Sequence, residues 1–67
     1  MQKYLIIHDI TNSYGKGYEI RAEVFNGDEC KEFRTITYYY YSKANAIKDY
    51  RKSIHAEGQH FKVIEFK

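Results

Sequence analysis

Three histidines and one cysteine are the side chains of this sequence best suited to metal binding or nucleophilic chemistry, and their spacing serves neither. His8, His55 and His60 have no cysteine beside them, and the five-residue step from His55 to His60 fits neither a one-turn helical ligand pair nor a clamp across paired strands. Asp9 follows His8 directly, but neighbours on a strand point to opposite faces, which separates carboxylate from imidazole. Cys30 has no partner to activate its thiol. Ser13, Ser42 and Ser53 suit a turn, a cap and a helix. Gly15-Lys16-Gly17 lacks the following Ser or Thr and the strand-to-helix context of a phosphate-binding loop. These residues predict a chain that is not an enzyme and carries no cofactor and no metal.

The strongest remaining signal is aromatic. Tyr38-Tyr39-Tyr40-Tyr41 runs between Arg34 upstream and Lys43 downstream, in a chain with eight tyrosines and no tryptophan or proline. Two rings of such a run share each face of a strand, and alternation from the preceding residues puts Tyr38 and Tyr40 outside. With Arg21 and Arg34 on the same outward surface, and Tyr14 and Lys16 at a nearby loop tip, these six residues form the expected binding site. Tyrosine and arginine are enriched at the energetic centres of protein interfaces, and an edge strand accepts a partner strand. Stacked rings bordered by cations also hold single-stranded nucleic acid, at about 1–3 kcal/mol per base. Packing competes for the same rings, since tyrosine has high β propensity and buries with its hydroxyl at the rim.

The elements that must position these residues start from Asn26-Gly27, a strong hairpin signal between two β-rich runs. Taken as the central pair of a type I′ turn, it sets Phe25 opposite Asp28, Glu23 opposite Cys30, Arg21 opposite Glu32, Ile20 opposite Phe33 and Glu19 opposite Arg34. Opposite charges then share one face, while Ile20, Ala22, Val24 and Phe33 share the other. Lys3 to Ile10 reads as a strand apolar on both faces, with neighbours on either side. Thr11 to Gly17 is a polar, mobile connection, and Tyr18 to Phe25 the second strand. The third strand, from Cys30 through the tyrosines, outruns the second, so it must bend with a bulge, pair near Tyr14, or stand as an exposed edge.

Ser42 caps a helix over Ala44 to Glu57 with an apolar stripe of Ile47, Tyr50 and Ile54, and Gly58 stands at its C′ position. Ser42-Lys43-Ala44-Asn45-Ala46 is similar to the basic helix N-terminus of double-stranded RNA-binding domains; the similarity spans five residues and the family's leading helix is missing, so no residue role is carried over. Gln59 to Lys67 is a last strand, returned parallel to the third or one place removed, commonly beside the first. The order β-β-β-α-β gives an α+β fold of two layers, a small mixed sheet of about four strands with one helix on one face, and an uncovered face where function should lie.

At 67 residues this is one domain, residues 1–67, and a fold so small buries only about 60% of its unfolded surface. Its core is thin, and forming a homodimer is one way to cover more of the sheet. A lone cysteine and no apolar run long enough to span a membrane or serve as a secretion signal predict a cytoplasmic protein without membrane contact. The net charge of +2 is mild for a nucleic-acid binder and wrong in sign for an acidic DNA mimic. Abundant Tyr, Lys and Ile match an AT-rich genome of the phage or viral kind. The resulting expectation is a small protein-binding module, a phage- or virus-encoded inhibitor of a nuclease or other host enzyme, antitoxin-like or anti-defence in type. The alternative is an RNA- or single-strand-binding protein using the tyrosine, arginine and lysine surface. Arg21 and Arg34 share the outward face with Glu19 and Glu23, and this mixed potential ranks a protein target first.

Overall fold

Leu5-Ile6-Ile7 lies at the middle of the sheet, as a run apolar on both faces requires. The computed structural model describes residues 2–67. It is a small α+β fold of two layers, with a five-stranded mixed sheet under one helix. The strands are β1 (Gln2–Asn12), β2 (Gly15–Asn26), β3 (Glu29–Glu32), β4 (Ile36–Tyr39) and β5 (Lys62–Phe66), and the helix is α1 (Lys43–Ser53). In space the order is β3-β2-β1-β5, with β4 continuing along the β3 side of β2. β1 and β2 are antiparallel, and α1 carries the chain over to β5, which lies parallel to β1 as its outer neighbour.

Four expectations need correction. Thr11 to Gly17 is no long loop: Asn12 pairs with Gly15, so only Ser13 and Tyr14 turn the chain. In the second hairpin Asn26 pairs with Glu29 and Phe25 with Cys30, which moves the register by two residues. The turn residues are Gly27 and Asp28, and Gly27 alone has positive φ (65°), the pattern of a type II′ turn with glycine first. An even shift leaves every β2 side chain on its expected face, but the charge pairs change. Glu32 now sits opposite Glu23 and Thr37 opposite Glu19, so the Arg21–Glu32 and Glu19–Arg34 pairs do not form.

The third correction is the position of the bulge, which the sequence allowed beyond Thr37 and the structure puts before Ile36. Glu23 pairs with Glu32 and Ile20 with Ile36, so three steps on β2 span four on the opposing strand. The extra residue splits the expected third strand into β3 and β4 and reverses its alternation. Phe33 and Ile36 both turn to the helix side, the Phe33 amide donates to the Ala22 carbonyl at 2.9 Å, and the Tyr50 hydroxyl donates to the Arg34 carbonyl at 2.5 Å. Tyr38, opposite Tyr18, therefore points inward and is 4% exposed.

Fourth, α1 ends a turn early. Ser42 caps it as expected, its Oγ accepting from the Asn45 amide at 3.2 Å. The C′ residue, however, is His55 (φ 58°), not Gly58: the His55 amide donates to the Lys52 carbonyl and the Ala56 amide to the Arg51 carbonyl, closing a Schellman motif. Ala46 and Tyr50 are the fully buried residues of the helix, and with Leu5, Ile7, Ile20, Ala22, Tyr38, Ala56 and Phe61 they make one core between helix and sheet.

Candidate interaction surface

β alternation gives the sheet two unlike faces. Leu5, Ile7, Ile20 and Ala22 face the helix, so Tyr4, Ile6, His8 and Ile10 of β1 and Glu19, Arg21, Glu23 and Phe25 of β2 face the other way. Parallel pairing of Ile6 with Ile64 and His8 with Phe66 extends that face across β5. No element among the described residues lies over it.

This open face is built from aromatic pairs around a shielded centre. Tyr4 and Phe25 meet edge-on with ring centroids 5.8 Å apart, and His8 lies flat on Phe66 at 4.9 Å and 14°. Arg21 joins the two halves: its Nη1 is 3.1 Å from His8 Nε2 and its Nε 3.7 Å from Glu23 Oε2. A guanidinium only donates, so His8 accepts through Nε2 and carries its proton on Nδ1. Ile6 is buried beneath these groups, while Phe66 remains 50% exposed. Glu19, Glu23 and Glu32 share this face with Arg21 and Lys62, so its potential is mixed.

At one end of the molecule a second cluster forms where the β1–β2 turn meets the exit of β4. Tyr14 packs on Tyr39 with centroids 5.7 Å apart, Asn12 Nδ2 donates to the Tyr39 hydroxyl, and the Tyr40 hydroxyl donates to the Tyr14 carbonyl at 2.9 Å. Tyr14 is 70% and Tyr40 90% exposed, and Tyr40 holds a left-handed backbone (φ 65°) that an L-residue adopts only at an energetic cost.

Of the six predicted site residues, the structure thus brings Tyr14 and Tyr40 into contact. Lys16, on β2 beside them, lines a shallow hollow with Asp9 and Tyr18. Arg21 sits at the centre of the open face, and Arg34 is exposed at the strand break. Tyr38 belongs to the core: its hydroxyl donates to Asp49 Oδ2 of α1 at 2.8 Å, so the expected outward pair of Tyr38 and Tyr40 does not exist. Tyr4, His8, Phe25 and Phe66 were missed, although the alternation of Tyr4, Ile6, His8 and Ile10 against Leu5 and Ile7 carried the signal that the outer face of β1 is also apolar.

Titratable groups elsewhere have structural surroundings. The Lys43 ammonium, 2.5 Å from Glu65, holds the Glu65 carboxyl below its usual value, while the neighbouring Glu65 carboxylate raises Asp9. Loss of hydration, then Glu23 and Glu32, pushes the Cys30 thiol up, which disfavours the reactive thiolate. No group of three metal-ligating side chains occurs among the described residues, and no helix is long and apolar enough to cross a membrane. Comparison with protein-family models, with curated proteins and with solved structures returns no match.

Proposed function

We propose that this chain is a small non-enzymatic module that binds a partner protein through the open face of its sheet, in the manner of an inhibitor that occupies a host enzyme. The observation that carries the reading is the uncovered face itself, where Tyr4–Phe25 and His8–Phe66 flank Arg21 over a buried Ile6. Aromatic rings and a pre-positioned arginine are what the energetic centres of protein interfaces use. The carboxylates interspersed with the cations there oppose phosphate, which favours protein over nucleic acid on this face.

A second reading draws on the other cluster: Tyr14 and Tyr40, with Lys16 nearby, supply exposed rings and a cation for stacking single-stranded bases. Affinity capture from host-cell lysate separates the two. Under the first reading the partner survives nuclease treatment and moderate salt, and Tyr4→Ala with Phe66→Ala removes it, each truncation weakening binding by about 2 kcal/mol. Release by nuclease, or steep loss with salt and with Tyr14→Ala and Tyr40→Ala, would reverse the order of the readings.

A further inference from the structure

The side of α1 nearer β5 is not filled by the sheet. Lys43 reaches Glu65 of β5 and Arg51 reaches the Gln59 carbonyl ahead of it, so this flank of the helix faces β5. Ala44, Ile47, Lys48 and Arg51, one stripe at helical spacing, line an open groove of about 520 Å³ with Lys52, Glu57 and Gly58. On the same side of the sheet Val63, opposite Leu5, is 47% exposed, which is unusual for the helix-facing position of a two-layer fold. β5 pairs only with β1, so the backbone groups along its outer edge are unpaired among the described residues. Arg51 Nε is buried there without an acceptor.

We infer that the groove and the β5 edge together form a docking slot for an extended, acidic segment of a partner protein, which adds a strand beside β5. A strand's backbone matches the open edge, its apolar side chains reach Val63 and Ile47, and its carboxylates reach Lys48, Arg51 and Lys52. Only another polypeptide offers alternating N–H and C=O groups to that edge, which sets a protein segment ahead of nucleic acid. A second copy of this chain fits worse, because joining two β5 edges brings the two sets of helix cations toward each other. The side chains that line the slot lie on the helix side of the sheet, opposite Tyr4, His8 and Phe25 of the open face, so either surface can fail without the other.

The test uses amide chemical shifts of the full chain titrated with a Glu-Val peptide, in which Val and Glu take turns at every second position with Thr between them so that both lie on one face of the added strand, and with its Lys-Val counterpart. The Glu-Val peptide is expected to shift Val63 to Glu65 and Ala44 to Arg51, with a Kd of about 0.1–1 mM. The Lys-Val peptide is expected to leave them unmoved. Lys48→Glu with Lys52→Glu, both exposed, should weaken the Glu-Val peptide about fivefold or more and admit the Lys-Val one. Equal binding of both peptides, no shift at about 1 mM, or shifts centred on Tyr4, His8 and Phe25 would overturn the proposal. So would oligothymidylate moving the same amides, or concentration-dependent shifts without any peptide.

Discussion

Tyr38 shows how one residue's surroundings decide its role. Its ring is enclosed between β2 and α1, edge-on to Tyr41 at 4.9 Å, and its hydroxyl is tied to Asp49. Removing that hydroxyl in Tyr38→Phe should cost about 1 kcal/mol and leave the fold intact. Tyr38→Ala should cost about 3–5 kcal/mol, comparable to the whole stability expected of a chain this size, so its circular-dichroism spectrum should collapse at ambient temperature. Burial, and then the bond to Asp49, hold the phenol far above its ordinary value of 10.0. The folded state therefore keeps the proton that the unfolded chain releases, and the stability due to Tyr38 is complete below about pH 10 and is lost as the pH rises further. Melting temperatures across that range should fall more steeply for the parent than for Tyr38→Phe; parallel curves would mean that the hydroxyl is not buried. Gly17 is a second residue with one role. A Cβ there would lie 2.6 Å from the Tyr38 carbonyl and 2.8 Å from the Tyr39 ring. Gly17→Ala should thus destabilise by about 1–3 kcal/mol in denaturant melts. Adding Tyr39→Ala should not restore the loss, because the backbone carbonyl stays in place.

Elements here are set by where regular patterns break. The left-handed residue that ends α1 is His55, which pays a steric penalty that glycine avoids. His55→Gly should raise stability by about 0.5–1 kcal/mol, several degrees in melting temperature, while Gly58→Ala, at φ 79°, should lower it. If His55→Gly instead destabilises, the helix continues past Ser53. The sequence signal for the helix was a good guide at its start, where Ser42 caps, and a poor one at its end, where Gly58 drew the boundary away from the αL histidine. The same holds for the sheet. Period-two alternation correctly sorted the two faces of β2, and of the positions the crossover left open for the last strand, beside the third or one place removed, the structure shows β5 beside β1. Nothing in Phe33-Arg34-Thr35-Ile36 marks an inserted residue, because a bulge without glycine is fixed by what packs on either side, here Phe33 and Ile36 against the core and the Tyr50 hydroxyl on the Arg34 carbonyl. That one hidden residue moved Tyr38 from the expected site into the interior.

On the scale of the whole molecule, one helix covers one face of a sheet whose principal extents with the helix are 39 × 22 × 16 Å. Such a thin body leaves half of its β surface outside the core, and that half carries Tyr4, Phe25 and Phe66 rather than an unbroken polar surface. A protein that binds there adds a layer where the fold has none, so occupancy and stability are linked. With a partner at about 100 times its Kd, the folded state gains about 2.7 kcal/mol, which for a domain of this size raises the melting temperature by roughly 10–20 °C. Phe66 is half exposed and lies at the end of β5, so Phe66→Ala should lower the unbound melting temperature only slightly. The same variant should abolish most of the rise caused by the partner, since the ring stacked on His8 is then gone from the proposed interface. Scanning calorimetry with and without the captured partner checks both halves. A variant that keeps the full rise would place the contact elsewhere, and one that loses unbound stability steeply would assign Phe66 to folding rather than to recognition.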